Sequence, residues 1–143
     1  MLSPGALALF AGGMLSALAA AAHLACILFG APAYRFLGAG EHMVRAVEAG
    51  KLRPTLVTMA IASMLLVWAA YALSGAGVIA PLPATRVVLP AVCLVYLARA
   101  VGFPLLKPVF PENSNTFWWV SSGICLLLGM LHTFGIISQW STL

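Results

Sequence analysis

The segment Gly30 to Pro54, GAPAYRFLGAGEHMVRAVEAGKLRP, decides how the rest of the chain is read, because nearly everything on either side of it is apolar. It carries four of the seven Lys/Arg residues (Arg35, Arg45, Lys51, Arg53), two of the three acids (Glu41, Glu48) and one of the three histidines, His42. The chain as a whole has 143 residues, of which 63% are hydrophobic and only 7% charged, whereas soluble domains are about 25% charged. So little charge cannot cover a water-facing surface, and lipid is the natural solvent for most of the chain. Four runs, about 5–30, 55–74, 84–103 and 117–138, reach the roughly 20 helical residues that a hydrocarbon core of about 30 Å requires. They use up nearly all of residues 1–143, so one transmembrane domain is expected, with no separate soluble domain. The predicted fold class is all-α, an integral membrane four-helix bundle running up-down-up-down, with a short interfacial helix between the first two crossings.

Outward from the charged segment, the first run, ALALFAGGMLSALAAAAHLACILFG, is longer than the apolar part of a signal peptide and is preceded by no basic residue. A retained transmembrane helix is expected there. Gly12, Ser16, Ala19 or Ala20, His23 and Cys26 recur at helical spacing as a stripe of small, weakly polar residues, a pattern that lets membrane helices approach closely. Within the charged segment, Pro32 interrupts the first helix and Gly38-Ala39-Gly40 reads as a loop. Glu41 to Ala49 is the predicted interfacial helix, with Met43, Val44 and Val47 on one side, Glu41 paired to Arg45 at i,i+4 and Arg45 to Glu48 at i,i+3. Gly50 is its stop, and Pro54 suits the start of the second crossing. Trp68 and Tyr71 are expected in an aromatic belt near its far end. Pro90 should kink the third crossing or confine regular helix to its later part. The connection PLLKPVFPENSNT, residues 104–116, contains three prolines and cannot be helical throughout.

Four crossings would place Arg35, Arg45, Lys51, Arg53 and Lys107 on one side and only Arg86 on the other. That asymmetry predicts a cytoplasmic charged segment and both termini outside. The formal net charge of +4 is therefore read as topology. Nucleic acid is excluded as a partner, because no basic patch sits among polar neighbours. Cys26, Cys93 and Cys125 lie inside apolar runs without a CxxC pair and read as small hydrophobes.

A rise of about 1.5 Å per residue puts His23, Arg99, Ser121 and Ser122 in one layer near the cytoplasmic side, beneath the loop with Arg35, Glu41, His42 and Glu48. The predicted ligand-binding site is a polar vestibule made by His23, Arg35, Glu41, Arg99 and Ser122. An arginine at a helix centre costs roughly +2.5 to +3.5 kcal/mol on insertion scales. Arg99 therefore reads either as an anchor for a carboxylate or phosphate, or as a side chain that snorkels or pairs with Glu41 or Glu48. His23 reads as a proton carrier or as an interhelical hydrogen bonder. His132, near the opposite end of the fourth run, is expected in a small polar cluster with Tyr71. The two histidines differ in height by roughly 15 to 20 Å, which argues against a shared haem iron. No cofactor, metal or catalytic residue is expected: no apolar run contains an acid, and HExxH, GxSxG and P-loop patterns are missing. Trp118 and Trp119 read first as belt anchors.

The stretches GAPAYRFLGAGE (30–41), AAYALSGAG (69–77) and FWWVSSGICLL.GM.H (117–132) resemble a family of small, uncharacterised four-helix integral membrane proteins of Gram-negative bacteria. The resemblance covers nearly the whole chain and implies the four-span architecture but no activity; taken with the charge asymmetry, the expected location is the bacterial inner membrane with both termini periplasmic. Sterol-isomerase-like proteins share only the general plan, and the intramembrane acids that their chemistry uses are missing here. The leading functional expectation is a non-enzymatic protein that binds, or binds and transports, a small amphipathic or anionic ligand or lipid. The alternative is an accessory or oligomerising subunit of a larger membrane complex. A third is a membrane enzyme acting on a lipid or isoprenoid through His23. Membrane lipids are partners in all three.

Overall fold

Local capping chemistry sets the helix boundaries. In the computed structural model, which describes residues 1–143, Ser3 Oγ accepts from the Ala6 N–H at 3.1 Å and Pro4 occupies the first turn, an arrangement that satisfies one orphan donor and wastes none. Helix α1, Pro4–Phe29, ends at Gly30, whose φ of +68° only glycine adopts without strain. Two short helices follow, α2 (Ala31–Phe36) and α3 (Glu41–Glu48). The charged segment is thus a helical pair rather than a loop leading into a single helix. Helix α4 spans Leu52–Gly75, α5 Thr85–Val101, α6 Phe103–Leu106 and α7 Asn115–Gln139. Pro54 is the third residue of α4, still inside the turn whose N–H groups lack helical acceptors. Ser114 Oγ caps α7 by accepting from the Phe117 N–H at 3.0 Å. There is no strand.

Three helices, α1, α4 and α7, with 26, 24 and 25 residues, are long and apolar enough to cross a membrane. Helix α5 is different. Its 17 residues extend about 25 Å, short of the roughly 30 Å hydrocarbon thickness. It is trimmed at its start by Ala84, whose φ is +58°, and at its end by Gly102, after which α6 resumes. The sequence pattern of four similar runs therefore resolves into three long helices and one short one.

Helix α1 packs along both α4 and α7, α5 packs along α7, and α4 meets α5 over a smaller area. Residue numbers rise on one helix as they fall on its neighbour. Gly5 lies against Ser138, Gly12 against His132 and Gly135 against Leu9, while Arg99 meets Ser121 and Cys93 meets Thr133. The α1 stripe is turned inward: Gly12, Ser16, Ala20 and Cys26 are buried and His23 is half-buried. Three apolar clusters follow the long axis. One joins Leu9, Ala72, Leu89 and Ile136; one joins Ala20, Leu65, Tyr96 and Leu128; the third joins Cys26, Tyr34 and Val44 under the α2–α3 cap. Hydroxyls link the helices between these clusters. Tyr96 Oη lies 2.8 Å from Ser16 Oγ, and Tyr34 Oη lies 2.8 Å from Thr58 Oγ1. Outside, large apolar side chains such as Leu18, Leu28, Val67, Leu94 and Ile137 are exposed.

Close approach of α1 and α7 leaves no space at Gly135. A Cβ there would stand 2.5 Å from Leu9 Cγ and 3.0 Å from the Gly5 carbonyl oxygen, and the backbone oxygen cannot swing away. Gly135→Ala is expected to destabilise the protein by about 1–3 kcal/mol, the usual scale of overpacking, read as a lower midpoint of denaturation in detergent. An unchanged midpoint would mean that the helices are not in this register.

Candidate functional site

The acidic residues come first, because their allocation determines what is left for the cations. Arg35 Nε donates to Glu41 Oε1 at 3.4 Å and Arg35 Nη2 donates to Glu48 Oε1 at 3.3 Å. Arg45 Nη2 donates to Glu112 Oε1 at 3.2 Å, and the His42 backbone N–H donates to the same carboxylate. This corrects the local pairing expected within α3. Arg35, carried over the cap by α2, takes both α3 glutamates, and Arg45 reaches across to the 104–116 connection. The hydrogen bond to Glu41, then that to Glu48, holds the Arg35 proton more tightly than in a free arginine. All three side-chain carboxylates of the protein are thereby engaged by Arg35, Arg45 and the α3 backbone.

Arg99 has no acid partner. Its Nη2 donates to Ser121 Oγ at 3.0 Å and its Nη1 to Ser122 Oγ at 3.3 Å, while Cζ lies 5.0 Å from the centre of the Trp118 ring. The expected alternative of a pair with Glu41 or Glu48 is excluded, since those two groups face Arg35. Helix α7 supplies all three Arg99 neighbours because Trp118, Ser121 and Ser122 fall within little more than one turn. Ser122 is buried, Ser121 and Arg99 are half-buried, and Trp118 is 3% exposed. The Trp118 Nε1–H is buried without an acceptor. The two tryptophans therefore part company: Trp119 is exposed and meets Phe103 in a tilted contact with ring centres 5.1 Å apart, but Trp118 is an interior residue and not a belt anchor.

Of the five predicted ligand-binding residues, the structure brings Arg99 and Ser122 together and pairs Arg35 with Glu41 in a separate cluster. No hydrogen bond joins the two groups. His23 Nδ1 lies 2.8 Å from the Ala19 carbonyl oxygen of its own helix, so this nitrogen carries the proton and the bond is local rather than interhelical. A cavity was expected among these residues; the described cavities lie elsewhere. One, of about 250 Å³, is a shallow apolar groove on the outer face of α5 and α7 at Pro90, Leu94, Leu97 and Ile137. Another, of about 720 Å³, lies at the opposite end of the helices near Ser74, Arg86 and Gln139.

A second buried polar group has a different partner from the one the sequence suggested. His132 is fully buried, its Nδ1 2.8 Å from the Leu128 carbonyl oxygen and its Nε2 without a partner. Its neighbour is Tyr96, with ring centres 5.4 Å apart, and not Tyr71. Tyr96 in turn meets Trp68 edge-on at 5.1 Å, so Trp68 faces the interior rather than a belt. The period of Leu89, Val92, Cys93 and Tyr96 on α5 could have marked Tyr96 as inward-facing. No group of three His, Cys, Asp or Glu side chains comes together to hold a metal.

With this geometry in place, comparison with known proteins adds nothing further: no family model, curated protein or solved structure matches the chain.

Glu112 joins the cap to a connection 67 residues away from Arg45. Exposed ion pairs contribute about 0–1 kcal/mol, so Glu112→Ala is expected to leave the denaturation midpoint nearly unchanged. Amide exchange across Glu41–Glu48 is expected to accelerate, as measured by hydrogen–deuterium exchange. Unaltered exchange there would show that the cap is held by Tyr34 and Val44 packing alone.

Proposed function

We propose that this chain is an integral membrane protein that binds a small amphipathic or anionic ligand, or a lipid, without catalysing its conversion, and that Arg99 is the anchor. Helices α1, α4, α5 and α7 cross the bilayer up-down-up-down, with the α2–α3 cap on the cytoplasmic side of a bacterial inner membrane and both termini in the periplasm. Two features support the placement: the exposed apolar flanks, which suit hydrocarbon, and the five basic residues of the cap and the 104–116 connection against Arg86 alone at the other end. The short α5 fits a bilayer because Arg86 and Arg99 lie near its two ends, where long basic side chains reach the head groups. Membership of the Gram-negative four-helix family that the sequence resembles belongs to the same proposal.

One observation carries the ligand reading. Arg99 is a half-buried cation with two serine hydroxyls and an aromatic face around it and no carboxylate, although a buried charge is ordinarily paired. The small-residue stripe of α1 is used inside the structure, which favours ligand binding over docking of a partner through that stripe.

Native mass spectrometry of protein released from mild detergent is the direct test. Co-purified mass of a lipid or small molecule is expected on the natural protein and is expected to disappear in Arg99→Ala. A clean apo mass, or a defined oligomer indifferent to the substitution, would instead favour the accessory-subunit reading.

A further inference from the structure

The hydrogen-bonding groups around Arg99 are unbalanced in one direction. A guanidinium has five N–H donors, and Arg99 uses two of them on Ser121 and Ser122, so three remain. Ser122 Oγ accepts from Arg99 and its own proton goes to no acceptor, whereas the Ser121 proton goes to the Trp118 carbonyl oxygen. Trp118 Nε1–H, an atom of the very ring that the guanidinium covers, is buried and unpartnered. Donors thus outnumber acceptors, and the only side-chain carboxylates in the protein are held at the cap by Arg35 and Arg45.

We infer that Arg99, Ser122 and Trp118 form a receptor for a single oxyanion, the carboxylate or phosphate head of an apolar chain. The inference rests on the ligand-binding reading above and specifies its chemistry. A neutral hydroxyl or amide would answer one donor and leave the charge; a cation is repelled. A planar carboxylate or a tetrahedral phosphate brings two or more acceptor oxygens and a compensating charge together, and charge-assisted bonds of this kind are the strongest available to arginine. Depth agrees with this choice. Arg99 precedes the end of α5 by two residues, so the bound head lies at head-group level with its chain among the apolar flanks. The Trp118 face lies 5.0 Å from the guanidinium carbon, a cation–π contact that holds the cation beside the unpartnered indole.

Full-length protein, exchanged into neutral detergent to strip bound lipid, is to be titrated with three probes of one chain length: dodecyl phosphate, dodecanoate and dodecanol. Binding is read by native mass spectrometry. At least one anion is expected to bind about tenfold tighter than the alcohol, the scale at which charge-assisted bidentate contacts separate from neutral ones. Tighter binding of dodecyl phosphate assigns a phosphate head, and tighter binding of dodecanoate assigns a carboxylate. Arg99→Gln is expected to remove this preference, and Trp118→Phe and Ser122→Ala each to weaken the anion several-fold while leaving the alcohol unchanged. Ser122→Ala removes one oxygen atom and keeps the test open should Trp118→Phe lower helicity by circular dichroism. Equal binding of all three probes, indifferent to Arg99→Gln, would overturn the oxyanion receptor and leave the broader reading of an amphipathic ligand in place. No binding of any probe would overturn both.

Discussion

Three carboxylates serve seven basic side chains, and the allocation of those three governs the polar architecture of the protein. Glu41 and Glu48 go to Arg35, and Glu112 goes to Arg45 and the α3 backbone. The cap is thereby closed on itself and fastened to the 104–116 connection. Arg86, exposed at the other end, donates to the carbonyl oxygens of Leu143 and Ser141. Arg99 remains the half-buried cation without an anion. Had either α3 glutamate reached it, the charge would have been neutralised within the fold.

The apolar framework depends on how closely helices can approach. Gly12 faces the His132 ring, and Gly135 admits Leu9, so α1 and α7 come together over small surfaces in a chain that has little polar glue. Apart from the Arg99 bonds to Ser121 and Ser122, the hydrogen bonds that α5 makes to the long helices, Tyr96 with Ser16 and Cys93 with Thr133, connect neutral groups whose cost of burial is modest once paired. His132 is the exception, with an unpartnered nitrogen in the centre of the structure. As an acceptor it has the opposite polarity to the unpartnered Trp118 N–H beside Arg99, so the two buried deficits differ in kind.

Much of the helical plan was legible from composition and punctuation. Gly50 was readable as the stop of α3 and Gly38 as part of a loop, and both have positive φ; the Ser3 and Ser114 caps and the stop at Gly30 came only with the structure. The small stripe on α1 was readable as an inward face because its period matches the helix. Less was legible where a side chain chooses between several partners of similar reach. The i,i+4 rule joined Glu41 to Arg45, yet Arg35 takes Glu41 because α2 returns over α3, a geometry with no local signature. Trp118 and Trp119 are adjacent and chemically identical, and only the rotation of α7 against α5 buries one and exposes the other.

The sequence by itself determined the all-helical composition, four apolar runs of which three prove long enough to cross a membrane, the concentration of charge between those runs, and the presence of one cation within an apolar run. These follow from local propensity and from the sum of hydropathy along the chain, quantities that do not depend on what packs where. Tertiary structure alone decided that α5 is the short helix, that His23 bonds to its own backbone, and that the three glutamates leave Arg99 to Ser121, Ser122 and Trp118. Those outcomes depend on the distances between residues far apart in the chain, and a hydrogen bond or ion pair forms with whichever group packing brings within about 3 Å.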